Sequence, residues 1–79
     1  MSKVSSLTKV IEGLHPFNGG LGDYHIAKAA INANRSKSTS IHTRLAKILR
    51  ILANYNVQVA ISPDSNIEVR NPKGEVCYF

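Results

Sequence analysis

Residues 35–50 contain five basic side chains and no acid, and this is the clearest chemical pattern in the chain. The basic residues are Arg35, Lys37, Arg44, Lys47 and Arg50. Exposed helices usually mix charges of both signs, whereas a surface with a single sign of charge attracts a partner of opposite sign. The segment therefore predicts a surface that binds a polyanion.

The distribution of charge along the chain supports an anionic partner. Residues 1–56 hold eight Lys and Arg against Glu12 and Asp23, a net of +6, while residues 57–79 hold two basic residues against three acids, a net of −1. Residues 24–63 contain no acid at all. The sign of the charge excludes mimicry of DNA, and solubility alone remains the alternative explanation for it.

Length and composition predict one small domain that spans residues 1–79. The chain is 43% hydrophobic and has no tryptophan, so we expect an aliphatic core that forms without metal or disulfides. Cys77 is the single cysteine, which fits a reducing cytoplasm. Residues 1–14 lack a continuous apolar run, so we expect no signal peptide, and nothing approaches the roughly 20 apolar residues of a membrane span.

The spacing of apolar residues predicts three helices. They run from about Ser6 to Leu14, from Tyr24 to Ala33 and from Ile41 to Asn54. Residues that can cap them are Ser5 or Ser6, then Asp23, then Thr39 or Ser40. His15-Pro16 is predicted to end the first helix, because the residue before proline avoids the helical conformation.

The third helix has the strongest amphipathic pattern. Its predicted inward stripe consists of Ile41, Leu45, Ile48, Leu49 and Leu52. Its polar residues recur on the opposite face at i, i+4, i+7 and i+11: Thr43, Lys47, Arg50 and Asn54. The basic residues of the segment are thus expected to share one solvent-facing side.

The period of the pattern changes from helical to alternating after residue 56. Val57, Val59 and Ile61 alternate with less apolar residues and predict a strand, and Ile67–Arg70 predicts a second. Asn71-Pro72-Lys73-Gly74 fits a type I turn. Val76–Phe79 suits a short third strand, and the predicted class is α+β.

Residues 36–49 (SKSTSIHTRLAKIL) place small hydroxyl residues ahead of alternating basic and leucine positions, a pattern that resembles the recognition helix of winged helix-turn-helix domains. Residues 24–29 resemble the preceding helix of that family, whose Ile-Ala pair packs on the third. Residues 57–59 would begin the wing, and residues 63–66 would be its tip. The resemblance covers about residues 22–70. It implies a three-helix helix-turn-helix core, a C-terminal β-hairpin wing and double-stranded DNA as the partner.

Two features depart from that family, and a second alignment exists. The linker 32–38 is longer than the family's tight turn, and Asp64 at the wing tip stands where a basic residue would meet phosphate. Residues 45–52 followed by 57–59 also resemble the last helix and strand of Cro/repressor-like antitoxins, which would place the DNA-reading helix at residues 24–33. The two alignments disagree only on which helix enters the groove.

A helix fits the major groove of B-DNA, and hydroxyls near its amino end can hold phosphates. On the winged-helix alignment, four residues would anchor to the DNA backbone: Arg35, Lys37, Ser38 and Thr39. Thr43 and Lys47, with Arg44 as a further candidate, would face the bases. Arg50 and Asn54 would meet the flanking phosphate or solvent.

Other groupings of reactive residues are weaker. Three scattered histidines and one cysteine lack the spacing of a zinc site, so we expect the histidines to lie at the surface or to be partly buried. His42 lies on the edge of the third helix and is a candidate for contact with nucleic acid. Gly19-Gly20-Leu21-Gly22 lacks the preceding strand of a nucleotide or KH-domain loop and reads as an interhelical turn. The five carboxylates lie on separate elements, so we expect no enzyme and no cofactor.

The apolar end of the chain allows two interpretations. Residues 76–79 form either an edge strand packed on the domain or a strand that pairs with a second copy, which would suit a palindromic DNA site. The sequence as a whole indicates a small DNA-binding transcriptional regulator, of phage or plasmid type by size. The alternative is a small inhibitor or antitoxin whose basic face binds a host protein.

Overall fold

The computed structural model describes residues 3–14, 21–35 and 39–79. Three helices come first, α1 (Lys3–Ile11), α2 (Leu21–Asn34) and α3 (Ile41–Ile51). Three strands follow, β1 (Gln58–Ile61), β2 (Ile67–Arg70) and β3 (Val76–Tyr78). The predicted α+β class, with a helical part followed by a C-terminal hairpin, is confirmed, and the third strand is present.

The first helix begins and ends three residues earlier than predicted. Gly13 has a φ of 77°, in the left-handed region that glycine occupies readily, and the N–H of Leu14 donates to the carbonyl of Ile11 over 3.1 Å. A glycine of this kind ends α1 ahead of the predicted stop at Pro16. Ser5 and Ser6 lie inside α1, so the prediction that one of them caps it is wrong.

The second helix is longer at its amino end than the sequence predicts. It begins at Leu21, so Asp23 lies in its first turn and is not the predicted cap. The carboxylate of Asp23 is directed into the protein, where it accepts a hydrogen bond from the hydroxyl of Tyr55. The side chain of Asp23, which the local sequence predicts to cap α2, is thus bonded to a residue 32 positions later in the chain.

The third helix begins where predicted. Ser40 is its N-cap, and the Ser40 hydroxyl accepts a hydrogen bond from the backbone N–H of Thr43 over 3.2 Å. The helix ends at Ile51, three residues before the predicted Asn54. Leu49, predicted to face inward, is 46% exposed, whereas Ile51 packs against the core instead.

The strands form one antiparallel sheet in the order β1-β2-β3. Val59 pairs with Val69, which pairs with Cys77, so these side chains share the face that turns toward the helices. The β2–β3 turn is closed by a 3.0 Å bond from the N–H of Gly74 to the carbonyl of Asn71. Gly74, the fourth residue of the predicted turn, has a φ of 90°, a backbone conformation that favours glycine.

The core lies between the helices and the inner face of the sheet. Aliphatic side chains dominate it, but Tyr55 and Phe79 are buried there too, so the core is not purely aliphatic. Two hydrogen bonds define the direction of the helix pair. Asn34 at the end of α2 meets Arg44 near the start of α3, and Asp23 at the start of α2 meets Tyr55 just after α3. Helices α2 and α3 are therefore antiparallel neighbours.

Candidate nucleic-acid interface

The outer side of α3 presents a row of polar side chains to solvent. Thr43, Lys47 and Arg50 on α3 are exposed at helical spacing, and so is Asn54, three residues beyond the end of the helix; we call these four residues the cationic stripe. Ile48 and Leu52, on the opposite side of the helix, are buried and hold α3 against the core. Because the core anchors α3, the stripe has a fixed orientation.

The amino end of α3 is held by its cap. The hydroxyls of Ser40 and Thr43 lie 3.0 Å apart, and Thr39 before them is half-buried. Arg35, at the end of α2, is exposed, and its backbone N–H donates to the carbonyl of Asn32 over 3.1 Å. The other two residues predicted to contact phosphate, Lys37 and Ser38, lie outside the described residues.

Arg44 differs from the other predicted contact residues because it is half-buried. Its Nη1 donates to Oδ1 of Asn34 over 3.1 Å, which ties α3 to the last residue of α2. Its Nε is buried and has no hydrogen-bond partner among the described residues. The guanidinium thus holds the α2–α3 pair together at the edge of the predicted interface, while Lys47 and Arg50 extend into solvent.

Helices α2 and α3 carry no exposed acid of their own. Asp23 is the only acid on either helix; it is 2% exposed, and the Tyr55 hydroxyl donates to its Oδ1 over 2.6 Å. The exposed charged side chains of the pair are Lys28, Lys47 and Arg50, and Arg35, also exposed, directly follows α2. This surface is therefore of one sign.

Sequence reasoning on the winged-helix alignment left out the exposed side of α2. Tyr24, His25, Lys28 and Asn32 are exposed there, and the rings of Tyr24 and His25 meet edge to face at 6.0 Å. The rival alignment had pointed to this helix. Lys28 is thus an exposed cation of α2 that lies outside the predicted set.

A shallow depression lies between the two helices. Ala33 and Ile51 form its apolar floor, and Lys47 and Arg50 stand at its rim. The depression is open to solvent and lacks the enclosed shape of a small-molecule pocket. It gives the cationic surface a concave, partly apolar strip beside the stripe.

The sheet contributes little positive charge. Asp64 is exposed in the β1–β2 turn, and Arg70 on the outer face of β2 forms an ion pair of 3.4 Å with Glu68. Lys73, in the β2–β3 turn, is exposed. The asymmetry predicted from the sequence therefore has a spatial counterpart, with the cations gathered on the helices.

The free edge of β3 lies beside α1. Lys3 Nζ donates to the backbone carbonyl of Tyr78 over 2.9 Å, while Cys77 and Phe79 are buried. Burial raises the pKa of the Cys77 thiol, and the nearby Lys3 ammonium lowers it in part. A buried thiol with a raised pKa is a poor nucleophile at neutral pH. Pairing of β3 with a second copy remains a prediction.

Comparisons of this chain with family models, with curated proteins and with solved structures find no match. The residues themselves therefore carry the functional conclusion. Among the described residues, no three His, Cys, Asp or Glu side chains lie close enough together to hold a metal ion. In that same part of the chain, no helix has the length and apolar character needed to cross a membrane.

Proposed function

We propose that the chain is a small DNA-binding protein that acts as a transcriptional regulator by occupying duplex DNA through α3. The observation that carries this proposal is the exposed stripe of Thr43, Lys47 and Arg50. Its positive charge is not balanced within the two helices, because Asp23, the only acid of α2 and α3, is buried. Lysine and arginine on one helix face are the usual means of neutralising phosphates.

The dimensions of α3 suit a groove. Its 11 residues extend about 16 Å at a rise of about 1.5 Å per residue, and an α-helix with its side chains fits the major groove of B-DNA. The fixed packing of Ile48 and Leu52 favours a rigid presentation of the outer side. Thr43 and Lys47 carry groups that can hydrogen-bond to base edges, and Arg50 and Arg35 carry groups that can bind phosphate.

Helix α3 is favoured over α2 because of the segment that leads into it. Arg35 and Lys37 lie in the linker between α2 and α3, whereas the first turn of α2 contains Asp23. The exposed Lys28 of α2 is a secondary candidate for phosphate contact. Contact by both helices is consistent with their antiparallel packing.

The proposal is tested by fluorescence anisotropy with a labelled random-sequence duplex across a series of salt concentrations. If about four phosphates are neutralised, log K should fall with log salt concentration at a slope of about −3 to −4. Lys47→Glu with Arg50→Glu should abolish binding. Arg44 is left intact in this variant because its guanidinium is bonded to Asn34.

The matched control is Lys9→Glu with Lys73→Glu. Both lysines are exposed and lie away from α3, and the variant changes the net charge by the same amount. The control should keep most of the affinity. Equal loss in both variants would mean that net charge alone drives binding, and failure of the wild type to bind any duplex at low salt would favour the protein-inhibitor alternative.

Sequence preference and regulation need a second measurement. Selection from a pool of random duplexes should enrich a site, because side chains such as Lys47 can discriminate base edges. That site, placed over a reporter promoter, should change expression with wild-type protein and not with the Lys47→Glu, Arg50→Glu variant. A pool that stays random after selection would reduce the proposal to non-specific DNA binding.

A further inference from the structure

The exposed side of α3 also carries a large apolar side chain that the core does not use. Leu49 is 46% exposed, and Ala46 and His42, at the preceding turns of the same side, are exposed as well. We call these three residues the Leu49 side. An exposed leucine in the last turn of a helix whose preceding turns are also uncovered on that side is available to a binding partner.

The Leu49 side directly adjoins the cationic stripe. His42, Ala46 and Leu49 each precede a member of that stripe by one residue, namely Thr43, Lys47 and Arg50. At about 100° per residue, Ala46 lies between Leu49 and Arg50 around the helix axis. Any partner broad enough to cover Ala46 therefore meets an apolar side chain on one side and cations on the other.

The charges decide between occupants of this surface. A second copy placed symmetrically on Leu49 and Ala46 would bring the Arg50 side chains of both chains close together, and like charges at such a contact are destabilising. A polyanion gains from the same cations. Duplex DNA is a polyanion that also exposes an apolar group at the bottom of its major groove, the C5-methyl of thymine.

We infer that Leu49, with Ala46 beside it, contacts thymine methyl groups when α3 lies in the major groove. This inference rests on the proposed function and names the base chemistry that the same face prefers. Ala46 has no side chain beyond Cβ, so the helix can approach the bases closely at its position. Leu49 lies about 60° from Ala46 around the helix axis, so its side chain extends into solvent beside that point of close approach.

The protein should therefore bind duplex sites that contain thymine more tightly than the same sites without the C5-methyl group. Uracil differs from thymine only by the C5-methyl and keeps the same hydrogen-bonding groups. The phosphates, and therefore the electrostatic part of the affinity, are identical in the two duplexes. Replacement of thymine by uracil thus separates apolar contact from charge.

The experiment compares two labelled duplexes of alternating adenine and thymine or adenine and uracil, by anisotropy at the same salt concentrations. The wild-type protein should bind the thymine duplex more tightly, by about fourfold for each methyl group removed from water. Leu49→Ser should bring the ratio of the two affinities close to one and leave the salt slope unchanged. Because Leu49 is exposed, circular dichroism should show that this variant folds.

The matched control is Ala60→Ser, an exposed position on the outer face of β1, which should keep the wild-type ratio. Equal affinity of the wild-type protein for the two duplexes would overturn this inference and leave the proposed function standing. A preference for thymine that Leu49→Ser does not change would also overturn it. Absence of binding to both duplexes at low salt would instead overturn the proposed function, and this inference with it.

Discussion

The hydroxyl of Tyr55 donates a 2.6 Å hydrogen bond to Oδ1 of Asp23, and both side chains are buried. The bond joins the first turn of α2 to the segment that follows α3. The backbone N–H of Gly13 donates to Oδ2 of the same carboxylate over 3.4 Å, so the segment that follows α1 is also bonded to Asp23. One buried acid thus links the ends of three helices and leaves the outer surface of α2 and α3 without exposed negative charge.

Tyr55→Phe should lower the free energy of unfolding. The substitution removes the hydroxyl and leaves a buried carboxylate without its shortest hydrogen bond, which costs about 1 to 3 kcal/mol. Urea denaturation followed by circular dichroism measures the change. Tyr78→Phe is the matched control, since Tyr78 is 46% exposed and its substitution should change stability by less than about 0.5 kcal/mol. Equal effects of the two substitutions would contradict a structural role for the Asp23–Tyr55 bond.

Stability should fall at alkaline pH through the same residue. Burial, then the hydrogen bond to Asp23 and the charge of Asp23, raise the pKa of Tyr55 above its ordinary value. Above about pH 10 the unfolded chain loses the tyrosine proton while the folded chain keeps it, so the free energy of unfolding falls by up to about 1.4 kcal/mol per pH unit. The raised pKa therefore contributes fully below pH 10, and its contribution disappears as the pH rises through the folded-state value.

The difference between wild type and Tyr55→Phe isolates this effect, because the other ionising groups are common to both proteins. Urea denaturation at several pH values between 8 and about 11 should show the wild type losing stability faster than the variant above pH 10. Parallel curves for the two proteins would show that Tyr55 ionises equally in both states.

Arg44 and Asn34 should be energetically coupled. Their 3.1 Å hydrogen bond joins α2 to α3, so Arg44→Met and Asn34→Ala should each destabilise the protein, and the double variant should lose less than the two losses combined. A coupling of about 0.5 to 1.5 kcal/mol is expected for such a bond. Lys47→Met, at an exposed position, should stay within about 0.5 kcal/mol of wild type. Additive losses at Arg44 and Asn34 would rule out the coupling.

Asn71 should be the most sensitive polar residue of the sheet. It is 6% exposed, and its Nδ2 donates to the carbonyl of Val10 over 3.0 Å and to Glu75 over 2.9 Å. Its Oδ1 accepts bonds from the backbone N–H groups of Lys73 and Glu75. Asn71→Ala removes these four bonds, of which the one to Val10 is buried and the others are partly buried, and should cost at least about 2 kcal/mol in a urea melt.

Asn32→Ala is the comparison for Asn71→Ala, because Asn32 is exposed on α2. Alanine has the higher helix propensity, so stability should stay the same or rise slightly. An Asn71→Ala protein as stable as the Asn32→Ala protein would mean that the β2–β3 turn is held without the Asn71 side chain.

Local signals in the sequence are sufficient to predict the helices and strands, but they do not predict which residues of other elements each one contacts. The Ser40 cap and the strand alternation act over a few residues, so the start of α3 and the order of the strands could be predicted. The apolar stripe of α3 is wider than the surface that packs on it. Which of its edges is covered depends on where α2 and the sheet lie, and for this reason the helical pattern alone predicts that Leu49 faces the core.

Long-range partners explain the other differences. Asp23 is a good cap by its local sequence, but Tyr55, 32 residues later, takes its carboxylate into the interior. Arg44 has the spacing of a surface cation until Asn34 bonds to its guanidinium. The exposed positions of Lys47 and Arg50 follow from the helical period alone, because within residues 3–14, 21–35 and 39–79 no hydrogen bond or ion pair from another element draws either side chain away.

The most direct test of the central claim is a titration of ¹⁵N-labelled protein with a random-sequence duplex at low salt, followed by amide chemical shifts. The account predicts that the largest changes occur at Thr43, Lys47 and Arg50 and their neighbours in α3, that smaller changes occur near Lys28, and that Ala60 and Glu68 in the sheet stay unchanged. Changes centred on the sheet, or no changes as duplex is added, would contradict the claim that the outer side of α3 binds DNA.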